Sequence, residues 1–128
     1  MGPKIETLPN KNRKKKFVSY HTYSELTAVC PTTRLPDFYT LKLAYESDEL
    51  LPELKSLKFY FLSFRNREIL HEELANEILD DFVSAVNPRW VQLILKVNNR
   101  GGVFTTIGRR WNRERGDEAV DLEAMGAD

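Results

Sequence analysis

Cysteine is nearly absent from this chain. With Cys30 as the one thiol among 128 residues, no internal disulfide can form, and a solitary thiol is best preserved in a reducing compartment. Histidine is almost as scarce: His21 and His71 are the pair, and with one cysteine they make a poor ligand set for a zinc centre, so no metal is expected. No apolar run approaches the roughly 20 residues that a membrane-spanning helix needs. The basic residues near the start have no apolar h-region behind them, so membrane insertion and secretion have no support and a cytoplasmic address is expected. A glycine-rich loop of the Rossmann type is missing, so a dinucleotide, if one binds, must use another surface. Net charge is missing too: 19 Lys+Arg balance 19 Asp+Glu. That balance gives no strong pull toward nucleic acid, although Lys11-Asn12-Arg13-Lys14-Lys15-Lys16 is basic and the stretch after Arg115 is mostly acidic. Such runs are more often solvated than bound.

What is present is enough apolar pattern for one domain with a modest core. Residues 17–23 and 38–45 are rich in aromatic and β-branched types; the second puts Tyr39, Leu41, Leu43 and Tyr45 on one face and Thr40 and Lys42 on the other. Both are predicted strands. Between them, residues 30–36 carry two prolines and two threonines, which is loop chemistry and places Cys30 in a connection. From Glu53, the apolar residues Leu54, Leu57, Phe61 and Phe64 recur at three- and four-residue steps, with Lys55, Lys58, Leu62 and Arg65 as a neighbouring stripe. From about Leu70, Leu74, Ile78, Phe82 and Val86, flanked by Ala75, Leu79 and Val83, mark a longer amphipathic helix that Asn87-Pro88 stops. Val91, Leu93, Leu95 and Val97 alternate with Gln92 and Lys96, and Asn98-Asn99-Arg100-Gly101-Gly102 supplies a turn before residues 103–107.

The predicted order is ββααββ, an α+β layer with a four-stranded antiparallel sheet and two helices on one face. Residues 15–111 form the domain, 1–14 a flexible basic segment and 112–128 a polar tail. A four-stranded sheet leaves its edges unpaired, and joining edges between copies is a common remedy, so self-association is expected.

Several residues could carry chemistry, and as residue types each keeps a plainer reading. Cys30 is a nucleophile or a small buried hydrophobe. Asp37, seven residues on and after Pro36, is a proton donor or a turn cap. Glu72, followed by Glu73, binds hydrogen-bond donors or favours a helix start, and His71 beside it is a proton carrier or a surface residue. Lys55 and Lys58, three apart on one helical face, meet phosphates or simply water.

Glu53-Leu54-Lys55-Ser56-Leu57-Lys58-Phe59-Tyr60, then Phe64-Arg65-Asn66 and His71-Glu72, follow Cys30-Pro31-Thr32-Thr33-Arg34-Leu35-Pro36-Asp37-Phe38 at intervals that resemble one family. Over residues 17–109 the chain resembles the NADPH-dependent 7-cyano-7-deazaguanine reductases, the nitrile reductases of queuosine biosynthesis. The resemblance implies Cys30 as the nucleophile that forms a thioimide and Asp37 as proton donor. His71 would assist proton transfer or orient the substrate. Glu72 would accept from the deazaguanine, and Pro52, Glu53 and Leu54 would line the same pocket. It implies NADPH on Lys55 and Lys58, and the tunnel fold shared with GTP cyclohydrolase I, with sheets joined into pentameric rings or a decamer and active sites between subunits. Arg34-Leu35 departs from the glycine-glutamine pair common there. Around Arg67-Glu68-Ile69-Leu70-His71-Glu72-Glu73-Leu74 the chain also resembles an amidine-forming relative in archaeosine biosynthesis, which lacks the motif at residues 53–60. A third possibility is a non-catalytic tunnel-fold protein that binds a purine or pterin, or only assembles.

Overall fold

Alternation of apolar and polar residues builds the centre of the molecule. In the computed structural model, which describes residues 3–126, β3 (Pro36–Glu46) and β5 (Trp90–Arg100) pair antiparallel, with Tyr39 opposite Val97, Leu41 opposite Leu95 and Tyr45 opposite Val91. Directly opposed residues share a face, so these side chains make one apolar surface. Against it lie α1 (Leu54–Leu62) and α2 (His71–Val86). Leu74, Ala75, Ile78, Leu79, Phe82 and Val86 of α2 are buried at its three- and four-residue spacing, and Phe82 stacks against Tyr45 with ring centroids 4.8 Å apart. Each large side chain fully buried here contributes about 1.5–3 kcal/mol by leaving water. Asn87 ends α2 in the left-handed conformation (φ 49°), its N–H donating to the Val83 carbonyl at 2.9 Å, and Pro88 follows.

The sheet order is β2-β3-β5-β6-β7, with β2 at Ser19–Val29, β6 at Val103–Asn112 and β7 at Gly116–Glu118. The α+β class and antiparallel pairing agree with the sequence. The four-stranded sheet does not: the main sheet has five strands, and a separate two-stranded sheet joins β1 (Thr7–Pro9) to β4 (Leu50–Pro52). β1, β4 and β7 are three residues each, too short for a periodic signal. Two of them lie in the segments expected to be tails. Beyond β7 the chain turns over the sheet at Gly108, where a Cβ would sit 2.5 Å from Leu122 Cδ2, and Met125 is buried. The β5–β6 turn is the two glycines Gly101 and Gly102, both with positive φ, as a two-residue hairpin requires.

Two further departures bear on the site. The first helical stripe is rotated: Leu54 is 55% exposed, while Tyr60 joins Leu57, Phe61 and Phe64 in the core, because Leu54 is the first helical residue and lies at the open end of the stripe. And β2 runs well past residue 23. Tyr23 pairs with Leu41 but Leu26 with Tyr39, so one extra residue is inserted as a β-bulge. A bulge restores the pairing with the opposite side-chain phase. It turns Leu26 and Ala28 inward, where they are buried, and a strand predictor following strict alternation stops at the bulge.

Candidate active site

The bulge decides where Cys30 goes. Ala28 is opposite Asp37, and Leu26 opposite Tyr39, so Asp37 and Tyr39 share the helix-covered face with both, and alternation brings Cys30 to the same side. The connection 30–35 is closed by backbone bonds: the Cys30 N–H donates to the Leu35 carbonyl at 2.9 Å, and the Arg34 N–H to the Cys30 carbonyl at 2.8 Å. Closure holds Arg34 at φ 61°, a conformation natural to glycine and costly for other residues. This is the position where the sequence has arginine in place of the resembled family's glycine.

Next, residues 65–70 bring in α2. The Val29 N–H donates to the Arg67 carbonyl (2.9 Å) and the Ile69 N–H to the Val29 carbonyl (3.0 Å), so Glu68 forms a parallel bridge with the end of β2. Ile69 is buried beneath, and α2 starts two residues later. The Leu70 N–H, one of the helix's free donors, bonds to Glu73 Oε1 at 3.2 Å, so Glu73 is a capping acid while Glu72 stays exposed. His71 thus stands over Asp37 and Tyr39: its Nδ1 is 2.8 Å from the Tyr39 hydroxyl and 4.0 Å from Asp37 Oδ2.

Four groups therefore converge, and their environments differ. Cys30 is half-buried. Its thiol is held below the usual range, chiefly by hydrogen bonds from the Thr33 side chain and N–H, then from the Thr32 N–H, against opposing effects of burial and the Asp37 charge. The Leu35 N–H donates to Thr33 Oγ1 at 3.2 Å, which leaves the Thr33 proton for the sulfur. A thiol so placed yields thiolate, the nucleophilic form, at lower pH. The Asp37 side chain is 8% exposed, and its Oδ2 has no hydrogen-bond partner among the described residues; the Ser47 hydroxyl is the other such buried atom. Buried polar atoms are nearly always paired, so one that is not marks a candidate site of chemistry. Tyr39 is raised, first by burial and then by the charges of Asp37, Cys30 and Glu72.

The remaining predicted residues lie elsewhere. Glu53 caps α1, its two carboxylate oxygens accepting from the Lys55 N–H (2.8 Å) and the Ser56 N–H (2.9 Å), and these bonds hold it below the usual carboxylate range. Pro52 belongs to β4 and Leu54 is exposed. Lys55 and Lys58 are exposed on α1, and among the described residues neither enters an ion pair. Nine residues of helix, about 14 Å of rise, separate this end from the Phe64–Arg67 turn that leads to Val29. One copy of the chain sets Asp37, Tyr39 and His71 together with the Cys30 and Glu72 charges nearby, and carries Pro52, Glu53, Leu54 and Lys55 at the other end of α1, with Lys58 midway along it.

A cavity of about 1020 Å³ between α1 and α2 contains none of these residues. Across it Tyr60 donates to Asp81 and Arg67 to Glu77. No group of three or more His, Cys, Asp or Glu able to hold a metal occurs among the described residues; His21 instead contacts the Tyr45 hydroxyl at 2.8 Å. No described helix is long and apolar enough to cross a membrane. Sequence reasoning missed Tyr39, assigned to the core, and Thr33. The signal for Tyr39 was its place two residues from Asp37, hence on the same strand face.

Comparison with known proteins gives a consistent result. The family model described as QueF-like protein matches residues 36–116. The NADPH-dependent 7-cyano-7-deazaguanine reductase of Alkalilimnicola ehrlichii is 45% identical over 103 residues, 80% of this chain and 80% of that protein. The enzyme of the same name from Chloroherpeton thalassium is 41% identical over 111 residues, covering 87% and 96% respectively. Among solved structures, the apo form of the archaeosine synthase QueF-Like superposes with a TM-score of 0.68 at 28% identity, over 73% of this chain and 91% of that one.

Proposed function

This chain belongs to the QueF-like family, and from that premise we propose that it is an NADPH-dependent nitrile reductase that converts 7-cyano-7-deazaguanine to 7-aminomethyl-7-deazaguanine. The observation that carries the residue roles is the buried, unpartnered Asp37 Oδ2 beside a lowered Cys30 thiol. The Cys30 thiolate adds to the nitrile carbon, making a C–S bond, and the nitrogen takes a proton from Asp37, giving a thioimide. Addition splits a difficult reduction into easier steps, because a nitrile is a poor hydride acceptor until activated. Once the thioimide carbon has been reduced by one hydride, Cys30 leaves as thiolate, and the imine so released must be kept from water until a second hydride reduces it. His71 orients the substrate or passes protons, and Glu72, an exposed acceptor, takes hydrogen bonds from the amino and ring N–H groups of the deazaguanine.

NADPH, when bound, supplies hydride, and nitrile to primary amine takes two of them. The residues present fit its phosphates: Lys55 and Lys58 offer two ammonium groups free of ion pairs among the described residues, on an α1 surface that also exposes Leu54, Phe59 and Leu62. Glu53 has both carboxylate oxygens committed to its own helix, and its N–H and carbonyl bond to Glu6 and Leu57, so Pro52, Glu53 and Leu54 would line the substrate pocket by shape.

The separation of the α1 end from Cys30 supports a site completed by another copy, in the tunnel fold. Up to Ala28 the outer edge of β2 has no strand partner among the described residues, Val29 alone being bridged to Glu68, and Val18 and Tyr20 are exposed along it; edge-to-edge joining would close the sheets into a ring. Pentamers or a decamer are expected in light scattering. The unit that assembles is the domain of residues 15–111 together with β1 and β7 packed on it, in the cytoplasm, with a free base rather than nucleic acid as substrate.

The similarity to an archaeosine synthase favours one second reading, in which ammonia adds to a Cys30-bound nitrile to give an amidine. The motif at residues 53–60 and the names of the curated relatives favour the reductase. NADPH oxidation by purified protein given 7-cyano-7-deazaguanine tests this, with Cys30→Ala as control. Two NADPH consumed per nitrile, and none by the variant, is the expected result. A nitrile adduct on Cys30 without NADPH consumption would instead support the amidine reading, and neither turnover nor adduct would leave a binding or assembly role.

A further inference from the structure

Tyr39 is fully buried in β3, on the face that carries Asp37, and its hydroxyl meets His71 Nδ1 at 2.8 Å. Buried tyrosine hydroxyls find a partner, and among the described residues His71 Nδ1 is the one Tyr39 has. Burial and the neighbouring charges push the phenol up, so it keeps its proton across the neutral range. A hydroxyl that keeps its proton and has one neighbour donates to it. Nδ1 is then the acceptor, and neutral His71 carries its proton on Nε2.

We propose that Tyr39 is a positioning residue of the active site, whose O–H fixes His71 as the Nε2–H tautomer and occupies Nδ1, keeping the ring from pairing with Asp37 Oδ2 at 4.0 Å. Asp37 Oδ2 stays unpartnered for that reason and is left free for the substrate nitrogen. The inference rests on the roles given above to Asp37 and His71. The groups facing His71 are Tyr39 and Asp37 from β3, Cys30 from the loop before it, and Glu72 from its own helix. A ring whose Nδ1 is released would be free to turn toward Asp37 Oδ2, 4.0 Å away.

Nitrogen-15 NMR of the wild-type protein, with His71 assigned through His71→Asn, reads the tautomer directly, and Nε2–H is expected. Tyr39→Phe removes the hydroxyl and little volume. It should lower kcat roughly tenfold, less than the hundredfold or more that acid–base residues themselves contribute because Tyr39 acts through His71, with KM little changed. Its nitrogen-15 spectrum should show the Nδ1–H tautomer of His71 appearing, because nothing then occupies Nδ1. A wild-type enzyme that turns over while His71 is the Nδ1–H tautomer overturns the proposal, as does a Tyr39→Phe variant whose His71 remains wholly Nε2–H. If Tyr39→Phe does not fold, the wild-type spectrum decides alone. Absence of both turnover and Cys30 adduct in the wild type is a different outcome: it removes the reductase reading, and with it the role given to Tyr39.

Discussion

Two buried aspartates lie at opposite ends of β3, and they are treated in opposite ways. Asp48, just past the strand, has every carboxylate oxygen covered: Oδ1 by Arg13 (3.3 Å) and Arg89 (3.0 Å), Oδ2 by Arg113 (2.9 Å). Its backbone carbonyl accepts from Asn10 Nδ2 at 2.9 Å. Asp37, at the other end, is as deeply buried and has an oxygen with no partner among the described residues. Burial of a carboxyl therefore does not mark a reactive group. What separates the two is satisfaction: Asp48 ties residues 13, 89 and 113 to the β3–β4 turn and has nothing left to offer, whereas Asp37 keeps a hydrogen-bonding position open beside a nucleophile.

The comparison is broken most severely by Asp37→Asn, for which turnover should fall a hundredfold or more while the melting temperature stays within a degree or two, since no partner of Oδ2 is lost. A large loss of stability with activity retained would show that Asp37 is a structural residue like Asp48. Asp48→Asn should do the reverse. Removing the charge among three arginines, all partly exposed and screened, costs about 2 kcal/mol, or on the order of 5 °C, and leaves kcat at 25 °C unchanged.

The same variant sharpens the comparison with pH. Asp48 is held below the usual carboxylate range, chiefly by the hydrogen bond from Arg113 and then that from Arg89, and Glu46 chiefly by Arg89. A depressed carboxyl stabilises the fold above its unfolded value, and that contribution is lost as the pH falls through the folded one. Wild-type stability should therefore drop below about pH 4, and thermal melts of Asp48→Asn should show a shallower drop.

Smaller effects are expected at the Cys30 loop. Thr33→Val removes the main hydrogen bond to the sulfur, so the midpoint of Cys30 alkylation by iodoacetamide should rise and the rate at neutral pH fall a few-fold; an unchanged midpoint would mean that the backbone N–H groups suffice. Arg34→Gly relieves the left-handed strain and gives up one exposed ion pair to Glu68 at 4.0 Å. It should stabilise the protein by about 0.5–1 kcal/mol, read by denaturant unfolding.

Much of this was legible beforehand because it rests on local chemistry. The α2 stripe, the β3 alternation, the Asn87-Pro88 stop and the loop position of Cys30 follow from the spacing of residues that must reach one core. Cys30, Asp37, His71 and Glu72 were legible as a set through their order and intervals, although nothing in those intervals shows that His71 would touch Tyr39. The bulge in β2, the parallel bridge at Val29, the three-residue strands and the capping use of Glu53 were not legible. Each depends on which backbone donors remain after long-range pairing, and no local pattern records that.

By itself, then, the amino-acid order determined the α+β class, the two helices, the core faces and the identity of the reactive side chains, because side-chain periodicity and residue chemistry are properties of the chain. Only the tertiary structure decided which aspartate is satisfied and which is left open, that Tyr39 and Thr33 serve His71 and Cys30, and that the α1 lysines stand apart from the thiol. The aspartate and Tyr39 outcomes turn on distances between residues far apart in sequence, and the Thr33 contact on a loop that the Cys30–Leu35 and Val29–Arg67 backbone bonds close; such distances exist only once the sheet and helices have closed on one another.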